Sequence, residues 1–413
     1  MILDIYAGGG GWDVAAQQLG LDPLGVEMDE AACLTRCAAG LSTLEQPDVR
    51  NVDLAALPRL TGLIASPPCQ TFSMAGKGAG RQALEQVLLG VKRVAAVEPI
   101  PYDEYDDLRT GLVLEPLRYA LELEPEWLAW EQVPTVQPIW DACAEVLRAD
   151  GYSVWTGHLH AEQYGVPQTR KRSVLIASRS REMSQPPVTH SRFYSRNPTK
   201  LDEGVAKWVS MAEALGWGMT RWPSMTVTGG GAATGGAEPF GNAARQGMVR
   251  ELEAGRWSLR SWQMGDVRSS HGTVRPIDQP SPCITSSMDN GNFQWRPSDP
   301  PTGDTQQWVH DEPAPTIVTT RRSKDGIIVG RKLPEGDGEN VGGWDWRGQD
   351  AVPGRQNAKG GVRVTVQEAA ILQSFPADYP WQGSKTKQYQ QVGNALPPLL
   401  ALHILAHVTG AKP

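Results

Sequence analysis

Over its first third the chain alternates short apolar runs with amphipathic stretches. Met1 to Tyr6, Pro23 to Glu27, Leu60 to Ala65 and Trp127 to Glu131 are compact apolar runs of strand length. Between them, Val14 to Leu19, Asp29 to Ala39 and Leu112 to Leu123 carry apolar residues at helical spacing. Strands separated by helices predict a doubly wound α/β sheet, because parallel neighbours need crossover connections. After about Arg181 the texture changes to Trp, Gly, Pro, Ser and Thr with few leucines. Two segments there echo each other, DQPSPCITSSMDNGNFQW from Asp278 and DEPAPTIVTTRRSKDGIIVG from Asp311. Each reads as a β-hairpin, a β-branched run leading into Asn-Gly or Asp-Gly, which supply the positive φ of tight turns. A looser third copy starts at Met225, and Pro334 to Gly361 reads as loop. Helical periodicity returns from Val362, and Pro397 to Val408 reads as a closing apolar helix. The expected organisation is therefore an α/β unit over 1–181, a smaller β-rich unit over 182–360, and a segment over 361–413 that returns to the first.

Composition narrows the class. With 413 residues the chain exceeds a single core, and 40% apolar with 21% charged residues excludes collagen and wholesale disorder. The sequence shows no unbroken apolar run of roughly 18–20 residues, and MILDIYAGGGGWD has no basic segment before an apolar one, so neither a membrane protein nor a secreted precursor is expected. Five cysteines (Cys33, Cys37, Cys69, Cys143, Cys283) without a C-x-x-C pair suggest no disulfide framework and no cysteine zinc site, and a reducing cytoplasm fits them. Cys33, Cys37 and Cys143 lie in helical apolar patterns and read as small buried hydrophobes. The net charge of −7 is unevenly spread: residues 179–360 hold 22 Lys and Arg against 20 Asp and Glu. Any nucleic-acid face is therefore local and Arg-based.

Several clusters point to chemistry. DIYAGGGGWD places glycines Gly8 to Gly11 between a strand and a helix, where backbone can approach a ligand closely, although tight turns use the same residues. Glu27 ends the next strand, where a carboxylate can accept both hydroxyls of a ribose, and Asp53 is placed to meet an adenine amino group. In ASPPCQTFS, two prolines hold Cys69 at a strand-to-loop transition, where it is a nucleophile or a small buried hydrophobe. WEQV puts Glu131 between apolar neighbours Trp127 and Trp130, surroundings that suit an acid near neutral pH; a capping or salt-bridged glutamate is the alternative. In QYGVPQTRKR, alternation sets Gln168, Arg170 and Arg172 on one side of an extended segment, as donors for an anion or base edge or as a solvated basic loop. His403 and His407 share i, i+4 spacing, but on an apolar helix without acidic neighbours they read as core or surface histidines, and no metal site is expected.

Taken in order, these motifs resemble the DNA (cytosine-5) methyltransferase family over nearly the whole chain except its middle. DIYAGGGG is similar to the family's S-adenosylmethionine motif, with Tyr6 where Phe is usual, and PPCQ to its nucleophile motif. DDLRTGLVLEPLR is similar to the helix after the mobile catalytic loop, and WEQV to its Glu-Asn-Val motif with Gln132 for Asn. QTRKR, VRVTVQEAAILQSFP and QVGNALPP resemble the later blocks.

The resemblance implies a Rossmann-like class I methyltransferase domain with a doubly wound mixed sheet, plus a smaller β-rich target-recognition domain. It implies S-adenosyl-L-methionine as cofactor, held by Tyr6, Ala7, Gly8, Gly10, Gly11, Glu27, Met28, Asp53, Pro68, Asn394 and Ala395. It implies that the Cys69 thiolate adds to cytosine C6 while Glu131 donates to N3, with Arg172 and less directly Arg170 at O2. The base must leave the duplex, so the partner is double-stranded DNA. The loop after Gln70, with Ser73, Arg81, Lys92 and Arg93, is expected to grip phosphate; Gln168 and the hairpin-tip residues Arg321, Arg322 and Lys324 are further expected DNA contacts. Nine of the fifteen tryptophans lie from Trp208 to Trp346, and most read as the apolar mass of a small β-rich domain. A transfer-RNA cytosine-5 methyltransferase shares the motif order, but the long middle region favours DNA; a relative without turnover is the rival from another class. A monomer is expected, cytoplasmic in a prokaryotic cell or phage-infected host, with a companion restriction endonuclease as a further partner.

Overall fold

The structure is a computed structural model. It describes residues 1–45, 48–68, 72, 83–194, 196, 197, 199–215, 280, 281 and 365–412, together with the backbone of 257–261, 273–275, 293–297, 321, 322, 328, 329, 362 and 363.

Seven strands form the main sheet: β1 (Ile2–Ile5), β2 (Pro23–Glu27), β3 (Thr43–Glu45), β4 (Gly62–Ala65), β5 (Trp127–Gln132), β6 (Ser153–His160) and β7 (Lys171–Ser178). Their order is β3-β2-β1-β4-β5-β7-β6, parallel except that β7 runs against both neighbours. The alternation of apolar runs and helical stretches thus gives the expected doubly wound, mixed sheet. Chain direction across the sheet reverses between β1 and β4, the switch point where α/β sheets open a crevice beyond their carboxyl ends.

Both faces are covered. On one, α3 (Leu84–Ala95), α4 (Glu115–Leu123) and α5 (Gln137–Ala149) bury Val87, Leu117 and Trp140 against Leu3, Leu63, Leu128 and Trp130. The other takes α1 (Gly11–Gln18) and α9 (Pro398–Thr409), whose Leu400, Ile404 and Leu405 meet Ile64, Ala129 and Ile176. A third cluster joins α6 (Met211–Leu215), α7 (Val366–Leu372) and α8 (Lys385–Asn394) through Phe375, Tyr379 and Trp381. Among the described residues one stretch, Lys385–Thr409, is long and apolar enough to cross a membrane; it is the α8–α9 pair, with 67% of its window buried in the protein.

Some local expectations are corrected. The stretch Leu112 to Leu123 starts as 3-10 turns over Leu108–Leu114 before α4, which opens with Pro116 where a missing N–H is harmless. Val362–Arg363 is not helical but strand β13, paired with β10 (Phe293–Pro297); α7 begins only after Thr365, whose capping box with Glu368 fixes the start. Lys92 and Arg93 belong to α3 instead of a loop, because Val87, Val91 and Val94 bury a helical stripe, and Arg93 pairs with Glu104 at 2.6 Å. In α2 (Glu30–Ala38) the buried side includes Ala32, Cys33 and Arg36, so Cys37 is exposed, and of the three cysteines expected to be buried Cys33 and Cys143 are.

In the middle region β8 (Trp257–Ser261), β9 (Thr273–Arg275), β10 and β13 form a sheet in the order β13-β10-β8-β9. β11 (Arg321–Arg322) pairs antiparallel with β12 (Ile328–Val329), the strand pairing that the expected second hairpin requires. Arg321 and Arg322 therefore stand in its strand and not at its tip. Of the first hairpin segment Pro280, Ser281 and β10 are described; Ser281 bridges to Gln168, and the edges of β10 go to β8 and β13. The copy from Met225 and the loop Pro334 to Gly361 lie outside the described residues.

Candidate active site

The crevice at the switch point is built from three strand ends. β1 runs into Tyr6-Ala7-Gly8-Gly9-Gly10, and Tyr6 (φ 65), Gly8 (φ 54) and Gly10 (φ 97) all take the left-handed conformation that turns the chain into α1. For Tyr6 this costs a side-chain-bearing residue roughly 1–2 kcal/mol; its hydroxyl donates to Leu112 O at 3.0 Å, which anchors the strained turn. A Cβ on Gly9 would lie 2.8 Å from the Trp381 ring, on Gly10 2.6 Å from the Tyr379 hydroxyl, and on Gly11 2.3 Å from Leu396 O. On Gly8 the nearest atom would be Tyr6 O at 4.0 Å. The loop is thus packed on three glycines and open at one.

Glu27 ends β2 beside that opening. Its Oε2 accepts from Gly8 N at 2.8 Å, and Oε1 from Met28 N and Asp29 N at 2.8 and 2.7 Å. Met28 is exposed. Asp53 caps a short 3-10 turn through Ala55 N, and Asn394 is exposed at the end of α8.

Beneath the loop lies a buried charge network. Arg36 donates to both Asp13 oxygens at 2.7 and 2.8 Å, to Ser42 O at 3.0 Å and to Thr43 Oγ1 at 2.9 Å. Both partners are out of solvent. Fully buried Asp4 sits beside them, and its carboxyl is pushed well above the usual range, first by burial and then by the Asp13 charge, with Arg36 opposing. From the far end of the chain Tyr379 donates to Gly9 O at 2.6 Å, and Lys387 pairs with Asp29.

On β5, successive side chains face opposite sides of the sheet. Trp130 enters the core under α5, so Glu131 faces the crevice. Its surroundings are not the apolar frame expected from the neighbouring tryptophans. Arg172 Nε lies 2.7 Å from Oε1, and Ser66 Oγ donates to Oε2 at 3.2 Å while accepting from Trp12 Nε1 at 2.9 Å. The side chains of Glu131 and Arg172 are 7% and 12% exposed, so the pair is largely withdrawn from solvent. Gln132 donates to Pro67 O at 2.6 Å, so the residue after the glutamate holds the proline turn that leads to Cys69. Thr135 ties the same connection through Phe72 O at 2.8 Å.

Two expected contacts are turned inward. Gln168 is fully buried and donates to Gln373 Oε1 at 2.9 Å. Arg170 is 2% exposed and donates to Gly393 O and Ala395 O, both at 3.1 Å. These residues precede β7, where the end of α7 takes the Gln168 donor through Leu372 O and Gln373 Oε1, and the carbonyls of the α8–α9 turn take donors of Arg170. Arg170 is a positioning residue: it holds the turn whose Leu396 carbonyl abuts Gly11. Of the expected trio only Arg172 reaches Glu131.

Cys69, Gln70, Ser73, Arg81 and Lys324, and the side chains of Arg321 and Arg322, lie outside the described residues. Sequence reasoning missed Trp12, Ser66, Arg36, Gln373 and Tyr379. Trp12 and Ser66 directly adjoin the glycine cluster and the proline pair, and Arg36 is a lone cation in an apolar stretch; Tyr379 carries no local signal.

Comparison with known proteins bears on this geometry. The profile of C-5 cytosine-specific DNA methylases matches residues 1–409. The type II methyltransferase M1.HphI of Haemophilus parahaemolyticus is 24% identical over 97% of this chain and 84% of its own length. M.DdeI of Desulfomicrobium norvegicum is 23% identical over 97% and 86%. Among solved structures, the Schizosaccharomyces pombe Dnmt2 methyltransferase shares the fold with a TM-score of 0.51 at 13% identity, over 99% of this chain and 98% of that one. The Entamoeba histolytica methyltransferase EhMeth does so at 0.52 and 10%, over 99% and 97%.

Proposed function

Because the chain belongs to the C-5 cytosine-specific DNA methylase family, we propose that it methylates C5 of a cytosine extruded from a specific duplex DNA sequence, through a covalent adduct with Cys69. The observation that carries this reading is the Glu131 carboxylate, fixed by Arg172 and Ser66 and joined through Gln132 to the Pro67–Pro68 turn that delivers Cys69.

Cytosine C5 is unreactive until C6 is attacked. The Cys69 thiolate forms the Sγ–C6 bond, and Glu131 in its protonated form donates to N3, so the ring electrons gather at C5. In this reading Arg172, which lies beside Glu131, donates to O2 and stabilises the charge that develops on the ring. The open face at Gly8 beside Glu27 suits a nucleoside-bearing methyl donor, because among Gly8 to Gly11 only Gly8 leaves room and Glu27 retains lone pairs for hydroxyl donors; Tyr6, Ala7, Gly10, Gly11, Met28, Asp53, Pro68, Asn394 and Ala395 complete the proposed binding set. S-adenosylmethionine, when bound there, would supply the electrophilic methyl group that C5 takes up, with S-adenosylhomocysteine as the leaving group. Loss of the C5 proton to a base and return of the N3 proton to Glu131 accompany cleavage of the Sγ–C6 bond, which releases 5-methylcytosine and regenerates the thiolate.

The organisation into 1–181, 182–360 and 361–413 follows the same reading, with base recognition in the middle region, the chain acting as a monomer and a restriction endonuclease cleaving the same site. Bisulfite sequencing of plasmid from cells expressing the protein, beside Cys69→Ala, tests it. Protection of one cytosine within one short motif, absent with the variant, is the expected result. Protection that survives Cys69→Ala would refute the covalent route, and no protected cytosine with soluble protein would refute DNA as substrate.

A further inference from the structure

A polar cavity of roughly 210 Å³ opens where β6 ends and β7 begins, and the proposed reaction gives it no role. His160 and Lys171 face each other in register there, and Thr169, Arg170 and Arg192 complete its donors. It lies at the same end of the sheet as Glu131, and Lys171 directly precedes Arg172.

The charges in this cavity do not cancel. Lys171 and Arg192 are exposed, and neither forms an ion pair among the described residues. Arg170 adds a third cation, although it donates to the Gly393 and Ala395 carbonyls. Glu162 is the one carboxylate in the lining, buried, with Oε1 3.8 Å from His160 Nδ1. Burial first, then Arg192 and Lys171, lower the His160 imidazolium to about 4, so a neutral ring lines the cavity at working pH. By volume the space equals about seven waters, enough for one tetrahedral anion with part of its hydration.

We propose that this cavity is a phosphodiester site, in which Lys171 and Arg192 grip the backbone of the DNA strand that enters the crevice beside Glu131. The inference rests on the reading of DNA as substrate. Backbone contacts of this kind position a duplex without reading its sequence.

The test uses the full chain with S-adenosylhomocysteine and a duplex carrying the motif found by bisulfite sequencing. Dissociation constants are measured across a salt series for the parent, Lys171→Gln, Arg192→Gln and the double variant. Each single change is expected to weaken binding several-fold for any sequence, and the double change to lower the log–log salt slope by about 1, as for one lost phosphate contact. A methylphosphonate placed at successive positions should weaken the parent at one position near the target cytosine, and the double variant should be indifferent there. Unchanged urea midpoints and cofactor affinity show that the fold is intact. If the parent binds and methylates while the variants match it in affinity and slope, the phosphate site is overturned and the substrate reading stands. If inorganic phosphate titrates the cavity but no methylphosphonate position loses its effect in the double variant, the site takes free anions and the DNA contact is overturned. A parent that neither binds nor methylates duplex DNA overturns both.

Discussion

Replacing Arg36 by Met tests whether the charge network beneath the glycine loop holds the protein together. The side chains of Arg36 and Asp13 are 0% and 1% exposed and share two hydrogen bonds of 2.7 and 2.8 Å. Methionine keeps the apolar stem but removes the cation, leaving Asp13 unpaired beside Asp4 and freeing Ser42 O and Thr43 Oγ1 of their donor. Breaking one side of a buried pair costs about 3–5 kcal/mol. That is a large fraction of the roughly 5–15 kcal/mol by which folded domains are stable. Gly25 adds a geometric limit: a Cβ there would lie 2.0 Å from Arg36 Nη2, so the guanidinium fills space that β2 vacates. Urea unfolding of the parent, Arg36→Met and Arg36→Met/Asp13→Leu measures the effect. The single variant should lose about 3 kcal/mol or more, and the double should recover most of it, because no charge is then stranded. A single variant within about 1 kcal/mol of the parent would refute the argument, as would a double variant weaker than the single.

Four further outcomes are expected. Asp4 has its folded-state carboxyl raised above the ordinary 3.8, so its contribution to stability is full below that value and is lost as pH rises through the folded pKa; urea midpoints from about pH 4 upward should show this loss in the parent and not in Asp4→Asn. Tyr379→Phe removes the donor to Gly9 O and should weaken methyl-donor binding about fivefold, near 1 kcal/mol, by calorimetry. Gly8→Ala should fold but bind the methyl donor poorly, whereas Gly11→Ala should lower the melting temperature outright, because its Cβ would meet Leu396 O at 2.3 Å. Glu131→Gln keeps the shape of the site but removes its acid, and methylation in single turnover should fall by roughly 10²–10⁴-fold.

The elements most easily read from sequence were those whose pattern reflects burial on a sheet. Pro23 to Glu27 is a strand over the very residues expected, since an apolar run that is buried on both sides leaves little alternative. The reading failed where short-range pattern competes with partners far along the chain. Gln168, Arg170 and Arg172 alternate as expected, yet the backbone of residues 372–395 claims the first two and Glu131 the third. Val362 and Arg363 sit beside a helical pattern but pair with β10, and Cys37 lies outside the buried side of its helix.

By itself the sequence determined the alternating α/β rhythm, the glycine turn, the proline-flanked cysteine and the glutamate at a strand end, because each depends on residues within a few positions of one another. Only the tertiary structure decided that Ser66 and Trp12 orient Glu131, that Arg170 donates to the Gly393 and Ala395 carbonyls, and that Tyr379 closes on Gly9 across 370 positions of chain. A side chain's hydrogen-bond partners are set by which surfaces the folded sheet brings together, and local pattern carries no record of that choice.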